Sequence, residues 1–329
     1  MSAIGIPVLL VVGGLLAVQA AANVQMSTTI RSPLGAATLQ LGIATALLLV
    51  AAALTGSLVG LEQLAAVPTW HLLGGLGSAA YVTAGILLFP RLGAVVTVGL
   101  FITGQMAASL VLDTGLLGVP AEPLGIANAL GALAVLVGAG LIVRAQTRAP
   151  AVPAPAQVPA GNAAPRDSRP IRAGVRSMRR TGWLAAGVLG GAVLPVQGAI
   201  NALLRDDLDR PLAVAAVSFL LATAVMAVVL VGAVRLVRTT PPQLRRVGTL
   251  PWWGWLGGLV GAGYVTAVFL LIPQIGAAPT VALTIAGQQL AALAVDQYGL
   301  LRMPRRPVSA RRLLGVAVLL AGVGLLQLG

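Results

Sequence analysis

Apolar residues along the chain fall into ten long runs, and short polar segments separate these runs from one another. A helix that spans a membrane needs about 20 consecutive, mostly apolar residues, and each run is close to that length. The pattern therefore predicts an all-α polytopic membrane protein with ten transmembrane helices. The predicted spans are residues 3–23, 34–58, 70–89, 93–112, 124–143, 182–203, 212–234, 252–272, 276–295 and 312–328.

One stretch of the chain occurs twice, and this repetition organises the whole sequence. Residues 70–113 recur 183 positions later as residues 253–296, and 24 of the 44 aligned positions are identical. Shared Leu, Val and Ala would follow from composition, but a shared Tyr, Pro, Gly-Gln and Asp would not. The informative matches are Gly74/Gly257, Gly75/Gly258, Tyr81/Tyr264, Thr83/Thr266, Pro90/Pro273, Gly104/Gly287, Gln105/Gln288 and Asp113/Asp296.

The repetition extends to the first two predicted helices of each half, at an offset of 178 positions. Gln19 and Asn23 align with Gln197 and Asn201, and a proline precedes both the second and the seventh helix. We therefore predict two repeats of five helices each. Their limits are residues 1–143 and residues 182–329.

Residues 144–181 join the two repeats and differ from them in composition. This segment contains six prolines and eight arginines, and little that is apolar apart from Ala and Val. Such a composition does not supply a packed core and is typical of flexible linkers. We predict a disordered cytoplasmic tether here.

The arginines predict how the helices are oriented in the membrane. Every basic residue is an arginine, and 19 of the 21 lie in loops on one side of the predicted bilayer. Cytoplasmic loops carry such an excess of positive charge. Both termini are therefore predicted to lie outside, together with Arg205 and Arg210, and the linker is predicted to lie in the cytoplasm.

Equivalent loops of the two repeats carry opposite charge. The loop after the fourth helix contains Asp113 and Glu122 but no arginine, whereas its counterpart after the ninth helix contains five arginines. An odd number of helices in each repeat allows the second repeat to insert in the opposite direction. The sequence thus predicts two inverted five-helix repeats, an arrangement found in secondary transporters.

Composition excludes several classes of protein. The chain is 58% hydrophobic and 9% charged, whereas a soluble domain carries about 25% charged residues. It has no cysteine, so neither a disulfide framework nor a thiolate metal site is expected. The net charge of +13 comes from the arginines of the predicted cytoplasmic loops. The chain lacks a basic stripe with interleaved aromatic residues, so nucleic-acid binding is not predicted. No catalytic motif is present, so we expect no enzyme activity, no cofactor and no metal.

The candidate functional residues are amides and phenols within the predicted spans. Gln and Asn four positions apart share one face of a helix, and neutral amides both donate and accept hydrogen bonds. The alternative is that these residues are interhelical hydrogen-bonding groups, each contributing about 0.6 kcal/mol. The predicted substrate-binding set is Gln19, Asn23, Tyr81, Gln105, Gln197, Asn201, Tyr264 and Gln288.

Two acidic residues recur at the ends of equivalent spans. Asp113 and Asp296 end the repeated stretch in each half. At depth in the bilayer such a carboxylate is a proton or cation site, whereas at the interface it is a helix cap or loop anchor. Because both occur where the apolar runs stop, the interface is favoured, and we predict gate or coupling groups near opposite faces.

Three motifs resemble those of a known family. They are the PxQxxxN of Pro195, Gln197 and Asn201, the WLGGxxGxxYVT of Trp255–Thr266, and the GQxxxxxxxD of Gly287–Asp296. Together they resemble the YdcZ family of bacterial inner-membrane proteins, which belongs to the drug/metabolite transporter superfamily. Members are single five-helix units or fused pairs of opposite orientation, and this chain resembles a fused pair.

The resemblance covers both halves, is stronger in the second, and implies a transporter through the superfamily. The first half departs from the motifs at Ala17 and Met106, which implies different roles for the two halves. Small multidrug exporters of the superfamily carry a glutamate in the first helix, where this chain has Gln19 and Gln197. Proton-coupled drug export is therefore not what the sequence favours.

We therefore predict a secondary transporter that moves a small polar organic solute across the plasma membrane by alternating access. The alternatives are a membrane assembly or structural protein that transports nothing, or a channel. The expected partners are a small-molecule solute and the lipid bilayer, without nucleic acid, and homodimer formation is left open.

Overall fold

The computed structural model describes residues 5–59, 61–112, 114–118, 125–148, 169–275 and 277–326, and this part of the chain is all-helical. Two short 3-10 helices, Thr69–Gly74 and Trp252–Trp255, lead into the third and eighth long helices. The long helices are α1 Gly5–Ile30, α2 Pro33–Leu54, α3 Gly75–Leu92, α4 Ala94–Leu112, α5 Ile126–Arg148, α6 Arg169–Leu208, α7 Pro211–Arg235, α8 Leu256–Ile275, α9 Ala277–Tyr298 and α10 Ala310–Leu326.

Every predicted span corresponds to one of these helices. Within the described residues, seven helical segments, those of α1 to α7, are long and apolar enough to cross a membrane. The chain is therefore a polytopic membrane protein. One boundary differs from the prediction, because α6 begins at Arg169 rather than near residue 182, so the last part of the predicted linker is helical.

Local sequence explains where several helices begin and end. Pro33 occupies the first turn of α2, where its missing N–H costs nothing, and the Ser32 hydroxyl accepts a hydrogen bond from the Gly35 N–H at 3.1 Å. Pro211 begins α7 in the same way. Gly93 ends α3 with a φ of 83°, a conformation that L side chains rarely adopt, and so separates α3 from α4.

Glycines bring helices of the two halves into backbone contact. Gly191 of α6 lies against the Phe101 carbonyl of α4, and Gly13 of α1 lies at the equivalent place against the Thr284 carbonyl of α9. A Cβ at either glycine would overlap the facing carbonyl, so only glycine permits this approach. Small residues serve the same purpose at membrane helix interfaces.

The two halves interleave and share their core. Helix α1 packs mainly against α9 and α8, and its equivalent α6 packs mainly against α4 and α3. Helix α2 packs against its own equivalent α7, and α5 packs against α10. Equivalent helices thus make matching contacts across a single interface, and the centre of the bundle is built from α1, α3, α4, α6, α8 and α9.

Candidate functional site

Six of the predicted residues lie on six different helices, three from each half. They are Gln19 on α1, Tyr81 on α3, Gln105 on α4, Gln197 on α6, Tyr264 on α8 and Gln288 on α9. We call these six residues the central polar cluster.

The two tyrosines of the cluster have different neighbours. The Gln288 amide donates from Nε2 to the Tyr81 hydroxyl at 3.0 Å and so joins the two halves. Tyr264 instead lies beside the Thr284 side chain of its own half. The repeat aligns Thr284 with Phe101 of the first half. The Tyr81 ring packs on the Phe101 ring, and the two ring centroids lie 4.7 Å apart.

The two glutamines on the first helix of each half also differ. Gln197 accepts a hydrogen bond at Oε1 from the Ser78 hydroxyl at 3.0 Å. The repeat aligns Ser78 with Gly261, and Gln19 lies over Gly261, where a Cβ would sit 2.7 Å from the Gln19 Nε2. Ser78 therefore orients one amide, whereas Gly261 leaves the other without a partner at the same position.

Two amides of the cluster keep hydrogen-bonding groups that no described residue occupies. Gln19 and Gln105 form no hydrogen bond with any residue that the structure describes. Gln19 is 9% exposed, and Gln105 is partly exposed. An unpaired amide in a membrane protein interior is costly, and a polar solute would satisfy both its donors and its acceptor.

The two predicted asparagines lie one turn away from the glutamines, against the beginnings of α8 and α3. Asn23 Oδ1 packs against Gly257, and Asn201 Oδ1 packs against Gly74. Both oxygens are buried without a hydrogen-bond partner. Each asparagine therefore lies at a close contact between two helices.

Asp296 fastens the end of α9 to the beginning of α4. The carboxylate is 1% exposed and accepts hydrogen bonds from the Ala94 N–H at 2.8 Å and the Val95 N–H at 3.1 Å. A carboxylate at a helix N-terminus compensates the unpaired N–H groups and the helix dipole. Asp113, the equivalent residue of the first half, lies outside the described residues.

Two arginines complete this contact. Arg312 Nη1 lies 3.9 Å from Asp296 Oδ2. The Arg306 N–H donates to the Asp296 carbonyl at 2.6 Å, and its guanidinium donates to the Pro90 carbonyl at 2.9 Å. We call Asp296, Arg306 and Arg312 the α9–α10 latch. From the sequence, these arginines predict only how the helices are oriented in the membrane.

Sequence reasoning missed further polar contacts. Gln40 of α2 donates to the Gly254 carbonyl at 2.7 Å and accepts from the Gly258 N–H at 2.6 Å, which fixes the beginning of α8. His71 lies 2.6 Å from the Asp207 carboxylate and joins the 3-10 helix before α3 to α6. Of the polar contacts that sequence reasoning missed, the one made by Ser78 could have been found, because the repeat aligns Ser78 with Gly261.

The central polar cluster is chemically uniform. Its members are amides and phenols supplemented by the hydroxyls of Ser78 and Thr284, and the hydrogen bonds among them leave donors and acceptors unused. Such groups recognise a solute by hydrogen bonds. The cluster draws residues from both halves of the molecule and is therefore the candidate solute site.

The sequence matches a known family of proteins. The model of the family described as "Putative inner membrane exporter, YdcZ" matches residues 4–141 and residues 182–325, which together cover most of the chain. The two matched regions coincide with the two halves of the bundle. No protein of curated function has a sequence that matches this chain.

Proposed function

We propose that this chain, which belongs to the YdcZ family of inner membrane exporters, is a secondary transporter that moves a small polar organic solute by alternating access. The observation that carries this proposal is the central polar cluster, whose residues lie on six helices from both halves and in which Gln288 of one half donates a hydrogen bond to Tyr81 of the other. Substrate sites in transporters built from repeats lie at the repeat interface near the bilayer midplane.

The matching contacts of the two halves support an inverted arrangement of repeats. Gly13 and Gly191 occupy equivalent positions and make equivalent contacts with α9 and α4. Because each half contains five helices, equivalent helices would cross the bilayer in opposite directions. Two such halves exchange conformations, and this exchange moves the access path from one side of the membrane to the other.

The polar groups suggest the class of solute. Gln19 and Gln105 each offer an amide donor and an amide acceptor, and the tyrosine rings offer flat apolar surfaces. A neutral or zwitterionic solute with several hydrogen-bonding groups would match these residues. A bare cation would find no carboxylate in the central polar cluster.

Asp296 is proposed as a gate group rather than as a ligand for the solute. Its carboxylate is occupied by the beginning of α4 and faces Arg312. The arginine distribution assigns this contact to the cytoplasmic side of the membrane. Movement of α9 relative to α4 would have to break it, so the latch would stabilise the conformation in which the cytoplasmic side is closed.

Transport in proteoliposomes is the direct test of this proposal. Purified protein would be reconstituted, and uptake and efflux of a metabolite library would be measured against protein-free vesicles. Movement of at least one polar solute is expected. Failure across the whole library, with protein that is folded and inserted, would favour the alternative of an assembly protein or a channel.

Replacing Gln19 with leucine should abolish most transport and leave the protein stable. Gln19 has no hydrogen bond with the described protein to lose, whereas a buried solute group left unpaired costs roughly 1–3 kcal/mol, or about 5- to 150-fold in rate. Gln40→Leu is the matched control, since it removes two hydrogen bonds and should lower the melting temperature. Transport rates and melting temperatures of both variants would be compared.

A second substitution tests the other half of the cluster. Gln197→Leu combined with Asn201→Val should reduce transport if these residues contribute to a binding site. Unchanged transport would reject their role, and a lower melting temperature alone would identify them as interhelical hydrogen-bonding groups.

The proposed orientation makes a separate prediction. Because the chain has no native cysteine, single cysteines can be introduced between residues 150 and 165 without background labelling. An impermeant maleimide should label them in inside-out vesicles and not in intact cells, since the arginine-rich side is cytoplasmic. Labelling in intact cells would overturn the orientation.

A further inference from the structure

We infer that the central polar cluster is reached from the extracellular side, through a crevice between the outer parts of α4 and α6 that leads to Gln105. This inference rests on the proposed function and on the arginine-based orientation. Its evidence is a difference between residues that occupy equivalent positions in the two halves.

The cytoplasmic parts of α1, α3 and α9 are closely packed against one another. Ala17 and Ala21 of α1 and Ala292 of α9 are each 0% exposed, and they share one apolar cluster with Leu88 and Phe89 of α3. These residues lie in the parts of α1, α3 and α9 that approach the α9–α10 latch. The latch therefore closes over a filled core.

The equivalent residues at the other end are not packed in this way. The repeat pairs Ala17 with Pro195 and Ala21 with Ala199, and both α6 residues are partly exposed. Likewise Ser109 of α4, the counterpart of the fully buried Ala292, is partly exposed.

The same difference reaches the polar cluster itself. Gln288 is 3% exposed and bonded to Tyr81, whereas its counterpart Gln105 is partly exposed and has no hydrogen bond within the described chain. Gln105 and Ser109 lie four positions apart on one face of α4. This face leads from the outer end of α4 to the cluster.

One pair of equivalent helix contacts shows the same asymmetry. Helix α1 packs against α3, but α6 makes no comparable contact with α8 in the part of the chain that the structure describes. The outer end of α6 lies next to Arg205 and Arg210, the only arginines that the charge distribution assigns to the outside. The less tightly packed end is therefore the extracellular one.

Cysteine labelling tests the crevice without a known solute. Ser109→Cys and Ala199→Cys would be treated in intact cells with the impermeant, positively charged reagent MTSET. Both should react about tenfold or more faster than Leu189→Cys, since a thiol in apolar surroundings is poorly ionised and unreactive. Leu189 is a suitable lipid-facing control because it is 67% exposed on α6.

The matched controls are the equivalent positions at the closed end. Ala21→Cys and Ala292→Cys should stay unmodified in intact cells and in inside-out vesicles. Size-exclusion profiles would verify folding, and Ser109→Cys alone decides the result if a core variant does not fold.

Two results would overturn the inference. One is reaction of Ser109→Cys and Ala199→Cys no faster than that of Leu189→Cys, and the other is reaction only in inside-out vesicles. Because the assay needs no solute, its outcome is independent of the transport measurement. If transport is measured but Ser109→Cys does not react, the proposed function stands and only the extracellular entrance is rejected.

Discussion

A Gly191→Ala variant should be severely destabilised, whereas Gly198→Ala on the same helix should fold normally. A Cβ at position 191 would overlap the Phe101 carbonyl, Cα and carbonyl carbon of α4, and no atom lies within 4 Å of a Cβ at position 198. Backbone atoms cannot turn aside as a side chain can, so α6 and α4 would have to separate. Overpacking of this kind typically costs about 1–3 kcal/mol and sometimes more.

The measurement is the melting temperature in detergent together with the size-exclusion profile. Gly198→Ala should match the parent protein or exceed it slightly, because alanine is the better helix former. Gly13→Ala should resemble Gly191→Ala, since its Cβ would overlap the Thr284 backbone. Equal stability of the 191 and 198 variants would contradict the contact between α4 and α6.

An Asp296→Ala variant should lose about 3–5 kcal/mol of stability, the cost of removing one partner from a buried ion pair. The substitution leaves the Ala94 and Val95 N–H groups unpaired. It also leaves the Arg312 guanidinium, which is 3% exposed, without its counter-charge. Thermal unfolding would measure the loss.

The double variant identifies the source of the effect. Adding Arg312→Met to Asp296→Ala removes the unpaired buried charge at similar volume, so part of the lost stability should return. Asp206→Ala provides an exposed acidic control and should have little effect. An Asp296→Ala variant as stable as Asp206→Ala would show that the latch does not hold α9 to α4.

The prediction of a YdcZ-family polytopic membrane protein is confirmed, because the family match covers both halves. The ten helices are also found where the sequence predicts them, since a run of about 20 apolar residues has no stable form in lipid other than a helix. The inverted orientation, the solute and the role of each amide remain predictions.

The helical position of the polar cluster follows from the sequence, but its pairings do not. Counting along each helix places Tyr81 and Gln288 near the middle of their spans, and only packing brings them to 3.0 Å from each other. In the same way, the alignment of Ser78 with Gly261 is visible in the sequence. Its consequence for Gln197 and Gln19 is visible only across the interface between the halves.

The sequence by itself determined the helices and the duplication, because hydrophobic length and repeated residues are properties of one chain segment at a time. The tertiary structure alone decided that Asp296 caps α4, that Arg306 and Arg312 turn back onto the protein, and that Gln40 fixes α8. Each of these contacts joins residues from different helices. Their existence depends on how closely the helices approach, and that distance is set by the packing of glycine against backbone rather than by any local pattern.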